Sequence, residues 1–219
     1  MKVNLLHHTS LEVCATAIRT CWQSFDNSDD GGEKDLALID RVGNKNKHSS
    51  TLEHLVYTFY ISGVSRALLQ EQSRHRLASP SVKSTRYTLK ELKDEESFLG
   101  GFNYIPTYSD VSWERAEKYL VFVGVEEVDF ASVQALDKLR IMIAKGISND
   151  KAKYCLPESF KTELTWTINA RSLQNFLHLR SSKSALWEIR DLAKAIFDAL
   201  PEDHKYLFED SINQIDEKS

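Results

Sequence analysis

The chain has 219 residues, enough for one large domain or two small ones. Hydrophobic residues make up 42% and charged residues 27%, so a core can form and disorder is not the default reading. A net charge of −4 and a pI near 6.0 argue against a protein held to nucleic acid by a global basic field, while leaving room for a local basic pocket.

The opening segment MKVNLLHHTSLEVCATAIR has a short apolar stretch soon interrupted by His7, His8 and Glu12, unlike a signal peptide or a membrane anchor. No run approaches the ~20 apolar residues of a spanning helix. Cys14, Cys21 and Cys155 are odd in number and lack the close pairs of zinc or redox motifs, which points to a reducing, cytoplasmic compartment. His48 and His54 flank Glu53 without the HExxH spacing, and no metal is expected.

In chain order, residues 3 to 7 read as a strand, and Thr9 with Glu12 has the spacing of a capping box that opens a helix running to about Trp22. Asp26 to Gly32 is a polar turn, after which EKDLALIDRV resumes helical spacing. Leu55 to Ile61 is rich in β-branched and aromatic residues and reads as a strand. Its companion is Leu164 to Ile168, where Leu164, Trp166 and Ile168 alternate with threonines. Helical patterns cover about 64 to 75, 113 to 123, 130 to 145, 171 to 180 and 184 to 199. Residues 1 to 219 read as one domain. There is no GxGxxG motif or P-loop, so side chains must do much of the anchoring of any nucleotide. Trp166 and Trp187 are expected in the core, and Cys14 and Cys21, one heptad apart, on one half-buried helix face. Cys155 reads as a buried helix-end residue.

The chemistry concentrates in RHRLASPSVKSTRY, Arg74 to Tyr87, where four Lys/Arg residues and five hydroxyl residues suit phosphate binding. Arg74, His75 and Arg76 should sit where the chain leaves a helix. Pro80 disfavours helix at Ser79. If Ser84 to Leu89 is extended, Ser84 and Arg86 point to one face. A basic cluster of this kind also ends many ordinary helices.

The full pattern resembles RHRxxSxxxxSxRY, the defining motif of the flavin-dependent thymidylate synthases, at each fixed position. HSSTLEHLVYTFYI, with His48, Ser50, Glu53 and His54, looks like the family's segment leading into a strand, and Glu71 precedes Arg74 by three residues as the motif helix requires. The Leu156-Pro157 step and TWTINARSLQNFLHLRSSKSALWEIR are similar to the family's carboxy-terminal region. The resemblance implies an α/β fold, a twisted sheet packed with several helices, assembled as a homotetramer with active sites between subunits. It implies that FAD carries a hydride from NADPH and that methylenetetrahydrofolate gives the carbon that turns dUMP into dTMP.

By the same match His48, Ser50, Arg74, His75, Arg76, Asn169, Arg171 and Asn175 would contact FAD, and Glu71, Arg74, Ser84, Arg86 and Arg180 the dUMP. Arg180 and Arg74 would be the groups acting in catalysis. A family phosphate-binding arginine falls on Lys153, with Lys151 as the alternative register. Ser81 and Val82 replace a polar pair, so any contact of its acidic side chain is missing. Periodicity adds that Arg171, Asn175 and His178 share one face of a helix, while Arg180 continues the apolar stripe of Leu173, Phe176 and Leu177. A cation there needs a negative partner. Helical position alone favours an internal carboxylate; the resemblance implies a substrate phosphate. A binding module without turnover and a nucleic-acid protein are the rival classes.

Overall fold

A computed structural model describes residues 1–100 and 107–212. In chain order the elements are β1 (Lys2–His8), α1 (Leu11–Trp22), α2 (Glu33–Ile39), β2 (Val56–Ser65), α3 (Arg66–Gln72), β3 (Ala78–Val82), α4 (Thr85–Thr88), α5 (Trp113–Glu117), α6 (Glu126–Ala144), α7 (Asn149–Ala152), β4 (Lys161–Asn169), α8 (Ala170–Arg180), α9 (Trp187–Asp198) and α10 (Glu209–Ile212). The four strands pair in the order β1-β2-β4-β3. Thr9 N donates to Val56 O, joining the end of β1 to the start of β2, and Ala170 N donates to Leu55 O, joining the end of β4 to the start of β2. Lys83 N, just past β3, donates to Glu163 O early in β4. Each neighbouring pair is therefore antiparallel. The α/β expectation holds, and Leu55–Ile61 and Leu164–Ile168 do lie in adjacent strands, with Thr58 Oγ1 3.0 Å from Thr167 Oγ1.

The chain divides into two compact units, one of Met1–Ile61, Glu71–Ser81 and Leu164–Ser219, the other of Ser62–Gln70 and Val82–Glu163. In the first, β4 alternates strictly, burying Leu164, Trp166 and Ile168, and α8 buries Leu173, Phe176 and Leu177. Trp166 meets Phe176 edge-on at 5.0 Å. The α9 stripe is Ile189, Leu192, Ala193 and Ile196, spaced three and four apart. Trp187 lies off that stripe and is 39% exposed, which corrects its expected core position.

Two more local expectations change in this unit. The Thr9 hydroxyl does not cap α1: it accepts from Val56 N at 3.2 Å, and Ser10 is the N-cap residue, with no side-chain cap bond. Strand pairing has taken the group that a capping box would use. Cys14 is buried, with Sγ 3.3 Å from Thr51 O, whereas Cys21 on the last turn of α1 is exposed. The two share a face in angle but only the first is covered.

The second unit has its own core, in which Leu89, Leu92 and Phe98 pack with Val133, Leu136 and Leu139 of α6. Asp137 is buried there because it accepts from Phe98 N at 2.9 Å and pairs with Arg140 at 3.0 Å. The helix expected over 113 to 123 stops at Glu117, and Cys155, at the end of a 3-10 turn, is exposed.

Candidate active site

The residues of the basic motif lie in different local structures. Helix α3 ends at Gln72, and Arg74, His75 and Arg76 follow in the connection to β3. Pro80 sits inside β3, as its restriction on Ser79 requires. Residues 84 to 89 are not extended: Tyr87 N and Thr88 N both donate to Ser84 O, and Thr85–Thr88 is helical. The turn is held from α7, where Asn149 Nδ2 donates to Arg86 O at 2.8 Å and Asp150 pairs with Arg86 Nε at 2.9 Å. Proline restricts only the residue before it, and nothing in STRYTL forbids a helical turn.

Within the first unit several of the predicted side chains meet. A concavity of about 830 Å³ is lined by Arg74, His75, Arg76, Arg171, Asn175 and Arg180 together with Ser172 and Ser184. Leu77, Leu179 and Ala185 supply apolar wall. Helix α8 projects Arg171 and Asn175 on one face, one turn apart, as their spacing predicts. Ser172, Ser184 and Ala185 escaped the sequence reading. Ser172 had a local signal, lying three residues after the cap residue Asn169; the turn after α8 had none.

Arg180 lies near the C-terminal end of α8, where the helix dipole favours a cation, and its side chain is 14% exposed. Its Nη1 donates to Glu71 Oε2 at 2.7 Å, its Nη2 to Glu71 O at 3.0 Å and its Nε to His75 Nε2 at 2.9 Å. The internal carboxylate that helical position favours is thus Glu71. Arg74 Nη1 lies 3.9 Å from the other Glu71 oxygen, with its side chain 72% exposed and open to a ligand.

The imidazole of His75 is set by this arrangement. A guanidinium only donates, so Nε2 accepts and the ring proton belongs on Nδ1. The His75 pKa is lowered to about 4, chiefly by burial and next by the Arg180 charge, with Glu71 opposing and Arg74 adding to the shift. The ring also meets Phe176 edge-on at 5.0 Å.

Other predicted residues have different placements. Asn169 is the N-cap of α8, its Oδ1 accepting from Ser172 N at 2.8 Å. Arg171 Nη1 pairs with Glu53 at 2.6 Å, both side chains about half exposed. His48 and Ser50 are exposed at the start of the segment that carries Glu53. His48 lines a separate concavity on the α1 and α2 side. Ser84 and Arg86 are exposed in the second unit, and Lys153 is half-buried in the turn after α7. His178 is exposed. Among the described residues no three His, Cys, Asp or Glu side chains group to hold a metal, and no helix is long and apolar enough to cross a membrane.

A family model described as "Thymidylate synthase complementing protein" matches residues 4–204. The chain belongs to this family. A flavin-dependent thymidylate synthase of Wolinella succinogenes is 68% identical over 208 residues, covering 95% of this chain and 97% of the relative. One from Campylobacter jejuni is 64% identical over 214 residues, covering 98% and 99%. A crystal structure of flavin dependent thymidylate synthase from Helicobacter pylori, complexed with FAD and dUMP, superposes with a TM-score of 0.89 at 59% identity, covering 97% of this chain and all of that one. Membership places this chain's motif, RHRLASPSVKSTRY, in a family of flavin-dependent thymidylate synthases.

Proposed function

We propose that the chain converts dUMP, methylenetetrahydrofolate, NADPH and a proton to dTMP, tetrahydrofolate and NADP⁺, using FAD. The observation that carries this reading is that Arg180 and His75, with Arg180 held from behind by Glu71, line one concavity together with Arg74, Arg76 and Arg171 in a family member. Relatives that share at least 58% of their residues with this chain over nearly its whole length carry the same activity in their names.

The concavity fits a flavin dinucleotide. Arg74, Arg76 and Arg171 would meet its phosphates with planar forks, and Asn175 offers an amide to its polar edges. The flavin supplies the hydride chemistry when bound. Asn169 acts through its cap, which sets the start of α8 and so the aim of Arg171 and Asn175. His75 presents a neutral ring with a proton on Nδ1. Arg180 and Arg74 would polarise the uracil ring, a preorganised positive field where negative charge develops. Glu71 holds the Arg180 fork in place beforehand, so little ordering is left to the moment of reaction.

Ser84, Arg86 and Lys153 would take dUMP, chiefly its phosphate, with Glu71 contributing from the motif helix. Lys153 keeps the charge of an arginine but gives up the bidentate fork. Residues 1 to 219 act as one functional domain in this reading, supported by a family match that runs through both compact units. The enzyme is a cytoplasmic homotetramer, with sites built at least in part at subunit interfaces. His48 and Ser50 stand at the edge of the flavin region. No thiol is used: Cys14 is buried, its pKa pushed up to about 11 by burial, and no cysteine lines the concavity of α8.

The test is direct. Purified protein should be yellow, bleach with NADPH, and form dTMP only when dUMP and methylenetetrahydrofolate are both present. Flavin binding without dTMP formation under those conditions would reduce the protein to a binding module. Steeply salt-dependent binding to DNA or RNA in its place would favour the nucleic-acid reading.

A further inference from the structure

Helices α1 and α2 enclose a second concavity, of about 910 Å³, with Trp22, Lys34, Leu38, Arg41, Val42 and His48 in its lining. Its charge is unusual for this chain. The protein carries a net −4, yet among the described residues no carboxylate lines this space. Arg19 also lines it but is consumed by buried Asp35, to which its Nε donates at 2.8 Å. Asp29 is turned away to cap α2, accepting from Lys34 N at 2.8 Å and Asp35 N at 3.1 Å. Among the described residues neither the Lys34 ammonium nor the Arg41 guanidinium has a carboxylate within 4 Å. Among the described residues, two cations are left with no carboxylate to neutralise them.

Their spacing is set by an irregular backbone. Lys34 is on α2 and Arg41 is seven residues on, in a π-helical turn over Asp40–Lys45. Seven helical residues advance roughly 10 Å and return to nearly the same face. Such π-turns are rare and frequent at functional sites. Gly43 lets this one settle on Leu52, since a Cβ there would come within 2.8 Å of the Leu52 side chain. Beside the two cations the Trp22 indole is 72% exposed, against an aliphatic wall of Leu38 and Val42. An exposed aromatic face next to unpaired cations and no acids is the chemistry that recognises a planar base bearing phosphates. The space also borders the flavin region through one short segment, which begins at His48 and carries Glu53, the partner of Arg171.

We propose that this second concavity binds a phosphorylated nucleotide, its base on Trp22 and its phosphates on Lys34 and Arg41. In the reaction proposed above, on which this inference rests, the occupant is the adenosine-phosphate end of the reducing dinucleotide. It is a site apart from the Arg74–Arg180 concavity, and Trp22, Lys34 and Arg41 take no part in holding flavin or dUMP; His48, at its rim, is the one lining residue shared with the flavin region.

The test uses flavin-loaded full-length protein titrated with NADP⁺, which has no hydride to give, and with 2′,5′-ADP, followed by tryptophan fluorescence and calorimetry. Both should bind and compete, quenching emission in the wild type but far less in Trp22→Phe. Lys34→Glu with Arg41→Glu, both on the surface, should weaken NADP⁺ at least tenfold while flavin content and dUMP affinity stay as they were. If the double variant folds poorly, Lys34→Gln alone should still weaken NADP⁺ measurably. Unchanged NADP⁺ affinity overturns the proposal. So does loss of flavin from the double variant, which would give the concavity to FAD, or weakened folate with unweakened NADP⁺, which would give it to the carbon donor. If the wild type binds NADP⁺ here but its flavin is not reduced by NADPH, the nucleotide site stands and the reductive reaction falls.

Discussion

Arg180 Nε donates to His75 Nε2 at 2.9 Å, and that single contact decides the protonation of a residue 105 positions away. The acceptor nitrogen must be bare, so the ring is the Nδ1–H tautomer. Nitrogen NMR of histidine-labelled protein should show one protonated and one bare nitrogen for His75 from pH 5.5 to 8. Arg180→Ala should release the ring to a mixture of tautomers. A mixture already present in the wild type would remove the contact from the account.

The same ring gives a pH dependence of stability. Its pKa is lowered from 6.5 to about 4 on folding, so between those values the unfolded chain binds the extra proton. The stability that depends on a neutral His75 is complete above pH 6.5 and is lost as pH falls toward 4. His204 is lowered as well, chiefly by burial, and adds to the wild-type slope. The difference in Tm between the wild type and His75→Gln, measured across pH 4 to 7, isolates the His75 share. It should be constant above pH 6.5 and narrow below it.

Asn169 separates a structural role from a ligand role. Removing the Ser172 N acceptor by Asn169→Ala should cost about 1 kcal/mol, read from urea unfolding of the flavin-free protein. Asn169→Asp restores the cap and should restore most of that stability. Arg76→Ala and Asn175→Ala should weaken FAD retention with little change in flavin-free stability, because both side chains are exposed. A stability loss from these two matching that of Asn169→Ala would merge the roles.

Arg180→Ala should raise the dUMP requirement by about 1.5 to 3 kcal/mol, the worth of a charged hydrogen bond, while flavin stays bound. Calorimetric titration with dUMP measures it. Arg180→Lys should recover little, since an ammonium cannot reach Glu71 Oε2, Glu71 O and His75 Nε2 together. Equal weakening of FAD and dUMP would show that the site is divided wrongly.

Arg86 and Arg180 are assigned to dUMP from different parts of the chain. If they come from different subunits of a tetramer, Arg86→Ala and Arg180→Ala should each be nearly inactive alone. Randomly reassembled in equal amounts, they should recover roughly a quarter of wild-type activity, since each site draws its two arginines independently. No recovery in verified mixed assemblies would place both groups on one subunit.

Short-range signals in the sequence were sufficient for the motif and for the main strands and helices, but not for residues 84 to 89, which turn helical, nor for the helix expected over 113 to 123, which stops at Glu117. Period-two alternation marked Leu164, Trp166 and Ile168; three-and-four spacing marked the α8 stripe and the shared face of Arg171 and Asn175. These follow from backbone geometry within a few residues, and so does the restriction of Pro80 on Ser79. The family motif is equally local. What the tertiary structure alone decided is where groups distant in the chain meet. Glu71 neutralises Arg180 across 109 residues, and Thr9 lends its hydroxyl to Val56 rather than to its own helix. Trp187 stays exposed although its residue type favours burial. Lys34 and Arg41 beside Trp22 were equally hidden, because what sets them apart is that no carboxylate of the described residues lies next to them in an acidic chain. A side chain's propensity is a property of its sequence neighbourhood, but its partner is chosen by topology, which brings the competing donors and acceptors within reach of one another.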